Sequence, residues 1–138
     1  MTKKSTSRNK RFSAAVLDKI PGSLFKIDQL QRLGDGNKEF IDRMLRLFIL
    51  IVPESVSEMY EAFTRKDFTA IAAVAHRIKP AVDTMDIKII KQMLDDIEES
   101  VLHKDEPLQL KEMIDSLKET VDRTVLQIKK TLEGNAHF

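Results

Sequence analysis

The sequence predicts an all-α fold, an antiparallel four-helix bundle with one or two short N-terminal helices ahead of it. Three observations lead there. Apolar residues recur every three or four positions along four long stretches, and no stretch alternates as a half-buried strand would. Gly is scarce, four in 138 residues, and none falls inside those stretches. Charged residues make up 33% of the chain and hydrophobic ones 42%, the profile of a helix-rich single domain able to bury a core without staples. With no cysteine, disulfides, thiolate catalysis and Cys-based zinc sites are excluded.

The elements follow in order. Residues 1–22 form a basic arm, its first eleven positions reading as disordered and Ser13 to Ile20 as a short amphipathic turn ended by Pro21-Gly22. Leu24 to Leu33 reads as a short helix closed by the turn Gly34-Asp35-Gly36-Asn37. Asn37 is then a plausible N-cap, with Glu39 in the first turn, for a helix striped by Phe40, Ile41, Met44, Leu45 and Phe48. Pro53 should kink that helix, or stop it at Val52 and restart it, with Val56, Met59, Tyr60 and Phe63 continuing the stripe. Asp67 caps the next segment, in which Phe68, Ile71, Ala75, Ile78 and Val82 share one face. Asp86 opens another, striped by Ile87, Ile90, Leu94, Ile97 and Val101. Pro107 suits the first position of the last helix, which carries Leu110 through Leu132 and ends at Gly134. The bundle proper is expected over 23–133, with 134–138 as a tail.

The formal net charge is +1, but the chain before Gly22 counts roughly +5 and the rest about −4. A basic arm can touch nucleic acid, yet an acidic bundle with a single Tyr argues against it, and the arm reads as a solvated terminus. The apolar run from Phe12 to Leu17 is broken by Asp18 and Lys19, unlike a secretory signal. Leu47 to Val52 is too short to span a bilayer. A cytoplasmic protein without a membrane partner is therefore expected. Because Leu47 to Val52 is apolar on every side, it is expected mainly in the core, the remainder lying under the N-terminal helices or forming a docking surface.

The chemically distinctive stretch is Ala75-His76-Arg77-Ile78-Lys79-Pro80. At about 100° per residue, His76 lies roughly 125° from the centre of the apolar stripe, so it should face solvent. Its neighbours on that surface are Ala72 and Ala73 one turn back, Lys79 and Pro80 one turn on, and Asp83 two turns on. Ala72, Ala73 and Pro80 are compact and leave the imidazole open to an approaching protein. No second ligand stands one turn away for a metal, no hydroxyl nucleophile or oxyanion hole accompanies it, and no Gly-rich phosphate loop exists for a nucleotide. What remains is an imidazole that attacks an already activated phosphoryl group, with Lys79 offsetting the developing charge. His103 and His137 read as ordinary solvated residues.

The run "AHRIKP", with the acidic helical chain and apolar stripes around it, resembles the histidine-containing phosphotransfer (HPt) domain of two-component phosphorelays over roughly Phe25 to Leu132. That family typically shows Ala-His-x-Leu-Lys-Gly. Ala75, His76 and Lys79 match, Ile78 replaces Leu, Pro80 stands where Gly is usual, and Asp86 replaces a small residue further on. The resemblance implies that His76 takes phosphoryl from a receiver-domain aspartate and passes it to another, with Lys79 contacting the phosphate. Response-regulator receiver domains, including that of a hybrid histidine kinase, are the implied partners. Any Mg²⁺ would sit in the receiver, because no carboxylate cluster is evident on this surface, and a monomer suffices. Pro80 removes an amide that would bond the carbonyl of His76, and Asp83 adds negative charge to the docking face. The competing reading is a non-catalytic adaptor bundle that binds receivers without carrying phosphate.

Overall fold

The computed structural model describes Arg32 and residues 37–135. The basic arm, the short helices expected before Asn37 and the C-terminal tail from Ala136 lie outside the described residues, apart from Arg32, which is helical and exposed. Four helices make up the rest: α1 (Lys38–Thr64), α2 (Phe68–Thr84), α3 (Lys88–Leu102) and α4 (Pro107–Asn135). No strand occurs among the described residues. The principal packing is α1 on α2, α2 on α3, α3 on α4 and α4 on α1, a closed ring. None of these helices is long and apolar enough to cross a membrane.

Each helix start has a local cause. The Asn37 side chain accepts from the amides of Glu39 and Phe40, and the Asp67 side chain from the amide of Ala70, satisfying donors that have no partner inside the first turn. The sequence reading placed a helix opening at Asp86. The structure instead gives Asp86 a left-handed backbone, φ 55°, and starts α3 after Ile87.

The helix ends share one solution. At Lys66, Asp86 and Lys104 the backbone is left-handed, and none of the three is Gly. In each joint the left-handed residue donates to the carbonyl three positions back, and the next residue to the carbonyl five back: Asp67 to Ala62 at 2.8 Å, Ile87 to Val82 at 3.3 Å, Asp105 to Ser100 at 3.0 Å. These bonds close carbonyls the helices would otherwise leave open. Asp67 and Ile87 then occupy the N-cap positions of the following helices, Ile87 without a side-chain cap bond, so the chain passes from one helix to the next with almost no loop.

Pro53 neither stops nor splits α1, which is a single helix of 27 residues. The helix loses one backbone bond at Pro53, while burial of Phe48, Val52, Val56 and Met59 on both sides of it holds the helix together. α4 likewise runs through Gly134 to Asn135.

The core gathers the expected stripes: Leu45, Phe48, Ile71, Ala75, Ile78, Val82, Ile90, Leu94, Ile97, Ile114 and Leu117 are all essentially inaccessible. Three buried hydroxyls are absorbed locally, Thr120, Thr124 and Ser55 each donating to the carbonyl four residues earlier, whereas the buried Ser100 hydroxyl has no hydrogen-bond partner among the described residues. The run Leu47 to Val52 departs from expectation. Phe48 and Val52 are buried, Ile49 is half-buried, and Leu47, Leu50 and Ile51 are exposed, because one helical face can supply only every third or fourth residue to the core.

Truncating Ile97 to Ala should cost about 2–5 kcal/mol in chemical denaturation; a loss under about 1 kcal/mol would contradict its place in the core. Lys104→Gly should stabilise the chain by up to about 1 kcal/mol, because Gly removes the Cβ penalty of the left-handed joint. A lowered midpoint would show that Lys104 is not left-handed in solution.

Candidate functional site

α2 has to bury Ile71, Val74, Ala75, Ile78 and Val82, and that requirement fixes which way its other side chains point. His76 follows directly after the fully buried Ala75 and is rotated about 100° from it, which leaves its side chain 79% exposed. Ala73 and Pro80 are exposed beside it and Ala72 is half-buried. His76, Ala72, Ala73 and Pro80, four of the six residues that the sequence placed on this surface, thus lie side by side on it.

Lys79, which the sequence placed one turn from His76 to offset developing charge, is held by α3. Its side chain is only 23% exposed, and its Nζ lies 2.6 Å from Oδ1 of Asp95. The same ammonium donates to Oε2 of Glu98. Glu98 has a second contact, its Oε1 lying 3.2 Å from Nδ1 of His76. One carboxylate from α3 therefore stands between the imidazole and the ammonium of α2.

Burial acts to lower the pKa of Lys79, but the hydrogen bonds and charges of Asp95 and Glu98 outweigh it and hold the group above the ordinary lysine value. A raised folded pKa means that the pairing contributes to stability at any pH below the ordinary lysine value. That contribution is lost as pH rises through the raised one. At neutral pH Lys79 is fully cationic.

Two further ion pairs frame the surface. Arg77 donates to Glu58 of α1 at 2.8 Å and reaches the hydroxyl of Ser55 at 3.4 Å. Asp83 is met by Lys91 of α3 at 3.1 Å, so the negative charge expected on the docking face is offset from the neighbouring helix. Pro80 sits within an unbroken α2, and its carbonyl accepts from the Thr84 hydroxyl at 2.9 Å. His103 caps the end of α3, away from this surface.

The sequence reading found no carboxylate cluster near His76. That was incomplete: Asp95 and Glu98 arrive from α3, one turn apart on the face turned toward α2. Their spacing of three residues was a visible signal, but only the packing of α2 against α3 says which helix they face. Both are engaged by Lys79, and no group of three or more metal-ligating side chains occurs among the described residues.

A family model, the Hpt domain, matches residues 43–125, a span that contains His76, Lys79, Asp95 and Glu98. The chain belongs to the Hpt domain family. No curated protein and no solved structure matches it significantly. Membership of the Hpt family implies histidine phosphotransfer in phosphorelays. Two histidines fall in the matched span, both exposed: His76 within α2 and His103 at the turn that ends α3.

The clamp can be checked by titration. In proton–nitrogen or carbon NMR, the Lys79 side chain should deprotonate at higher pH than the exposed lysines. Asp95→Asn combined with Glu98→Gln should bring it down to or below the ordinary value, since only the burial effect then remains. A wild-type Lys79 that titrates with the surface lysines would mean that the two carboxylates do not hold it.

Proposed function

We propose that His76 is the phosphoryl carrier of a phosphorelay. It takes the group from a phospho-aspartate of one receiver domain and yields it to the aspartate of another. The observation that carries this reading is the exposed imidazole whose Nδ1 is 3.2 Å from Glu98. A carboxylate at Nδ1 favours the tautomer that keeps its proton there, leaving the Nε2 lone pair free and pointed away. Nε2 would attack phosphorus as the bond from phosphorus to the aspartyl oxygen breaks, and the aspartate would leave as a carboxylate. The ring, now bonded through Nε2 and still protonated at Nδ1, is a cation that Glu98 can stabilise. The reverse sequence delivers the group onward.

Lys79 is the cation nearest in sequence on the same face, but contact with a phosphoryl group requires it to exchange Glu98 or Asp95 for phosphate oxygens. That exchange is plausible energetically because both states are ion pairs in a partly solvated setting, where such pairs contribute modestly. Ala72, Ala73 and Pro80 would leave room for the receiver, and Asp83 with Lys91 would lie at its edge. Mg²⁺ would be supplied by the receiver. The protein would act in the cytoplasm, as a monomer, with receiver domains as partners. The near-absence of loops at the three joints supports an antiparallel course for successive helices.

A second reading, a bundle that binds receivers without carrying phosphate, draws support from the same clamp, since Lys79 is already neutralised by two carboxylates. One experiment separates them. Incubated with a phosphorylated receiver and Mg²⁺, the wild type should acquire acid-labile, alkali-stable label, and His76→Gln should acquire none. Lys79→Ala should fold normally and transfer on the order of 100- to 1,000-fold more slowly, the scale expected for loss of one electrostatic stabiliser. An unlabelled wild type that still binds the receiver would establish the adaptor reading instead.

A further inference from the structure

The groove between α1 and α4 is a surface that the phosphotransfer reading does not use. Its middle is apolar: Leu50 is 64% and Leu126 61% exposed, and Ile49, Pro53 and Val125 line the groove beside them. Exposed apolar ground rimmed by polar residues marks a contact surface. Three charged side chains complete the lining, Arg46, Asp122 and Lys129, and their order decides what fits. Contacts between the two helices run in reverse order. Tyr60, late in α1, donates to Asp115, early in α4, whereas Ile49 and Leu50 share the groove with Val125 and Leu126. Arg46 lies four residues before Leu50 and Asp122 four before Leu126, so each is about 6 Å from the apolar middle, in opposite directions. Lys129, three residues past Leu126, falls at the Arg46 end.

The groove thus has a cationic end, an apolar middle and an anionic end, and such a surface is complementary to itself. A two-fold axis through its middle turns the anionic end of one copy onto the cationic end of another, while the exposed leucines meet at the centre. We propose that a second copy of this chain covers the groove, with Arg46 and Lys129 of each copy facing the partner's Asp122. In the single chain Arg46 pairs with Asp42 and Asp122 with Lys118, each at 2.7 Å. Both are exposed pairs one turn apart, which contribute little, so they can be exchanged for pairs across the axis. Beyond Arg46 the surface turns polar, with Glu39, Asp42 and Arg43 around Leu47, which bounds the contact at that end. So short a groove suits a weak, reversible pair that dilution returns to single chains. His76 lies on the opposite seam of the helix ring, between α2 and α3. Pairing therefore leaves each histidine open, one copy still suffices for transfer, and the inference does not rest on phosphotransfer.

Sedimentation of the full-length chain, from roughly 10 μM to 1 mM, tests it. The apparent mass should rise from 15.8 kDa toward twice that value. Leu50→Asp combined with Leu126→Asp should stay at the mass of one chain with unchanged helicity, because both side chains are exposed. Charge reversal reads out the arrangement itself. Arg46→Glu combined with Lys129→Glu should weaken association at least about ten-fold, and so should Asp122→Arg alone, since like charges then meet across the axis. All three substitutions together should recover association to within about three-fold of the wild type. A mass that stays at one chain up to about 1 mM would overturn the proposal, leaving the groove to the chain's own N-terminal arm or to a different protein. Association that survives the paired Asp substitutions, or charge reversals that fail to compensate one another, would overturn it equally.

Discussion

Everything at the candidate site depends on how α2 meets its burial requirement. Five apolar side chains at helical spacing must face inward, and Ala75 and Ile78 are among the least accessible residues in the molecule. Once they are buried, the helix has no remaining rotational freedom. His76, one position after Ala75, is carried outward and Lys79, one position after Ile78, is carried toward α3. The imidazole and the ammonium are thus positioned by their neighbours' hydrophobicity, at no cost to the core.

That placement creates an electrostatic problem which α3 resolves. A half-buried ammonium needs a partner, and Lys79 receives two. Because α3 must bury Leu94 and Ile97, Asp95 and Glu98, each one position further on, are turned together toward one side of the helix. The same logic that exposes His76 on α2 therefore presents the carboxylates on α3. The site is a meeting of two residues that follow core residues on one helix with two that follow core residues on the next. Its resting state is nearly self-neutralised, and an incoming phosphoryl group would have to compete for Lys79 with two carboxylates.

Much of this was legible in the sequence, and the remainder was not for identifiable reasons. Four stripes, the caps at Asn37 and Asp67, and an exposed His76 all follow from periodicity and from residues a few positions apart. The left-handed joints were invisible because Lys66, Asp86 and Lys104 carry none of the Gly signature; the backbone bonds to Ala62, Val82 and Ser100 hold them there in spite of it. Pro53 misled in one direction, since burial on both sides overrides one lost hydrogen bond. Glu98 was missed because its role depends on which helix packs beside α2, and no local pattern states that. Leu47, Leu50 and Ile51 were assigned to the core in excess, since hydrophobicity says that a residue wants burial and not which surface provides it.

Pro80 draws these threads together. A Gly at this position would be small, but it would weaken the helix where both His76 and Lys79 must be held. Pro is also compact, and it removes the amide that would have bonded the His76 carbonyl. α2 nevertheless continues unbroken to Thr84, because Val82 on the far side of Pro80 is fully buried and pins the last turn to the core. The lost bond therefore does not produce a break. Pro keeps this face of α2 shallow and fixes its own backbone. The residue that departs most from the family pattern is compatible with the site because the burial requirement of α2 extends beyond it.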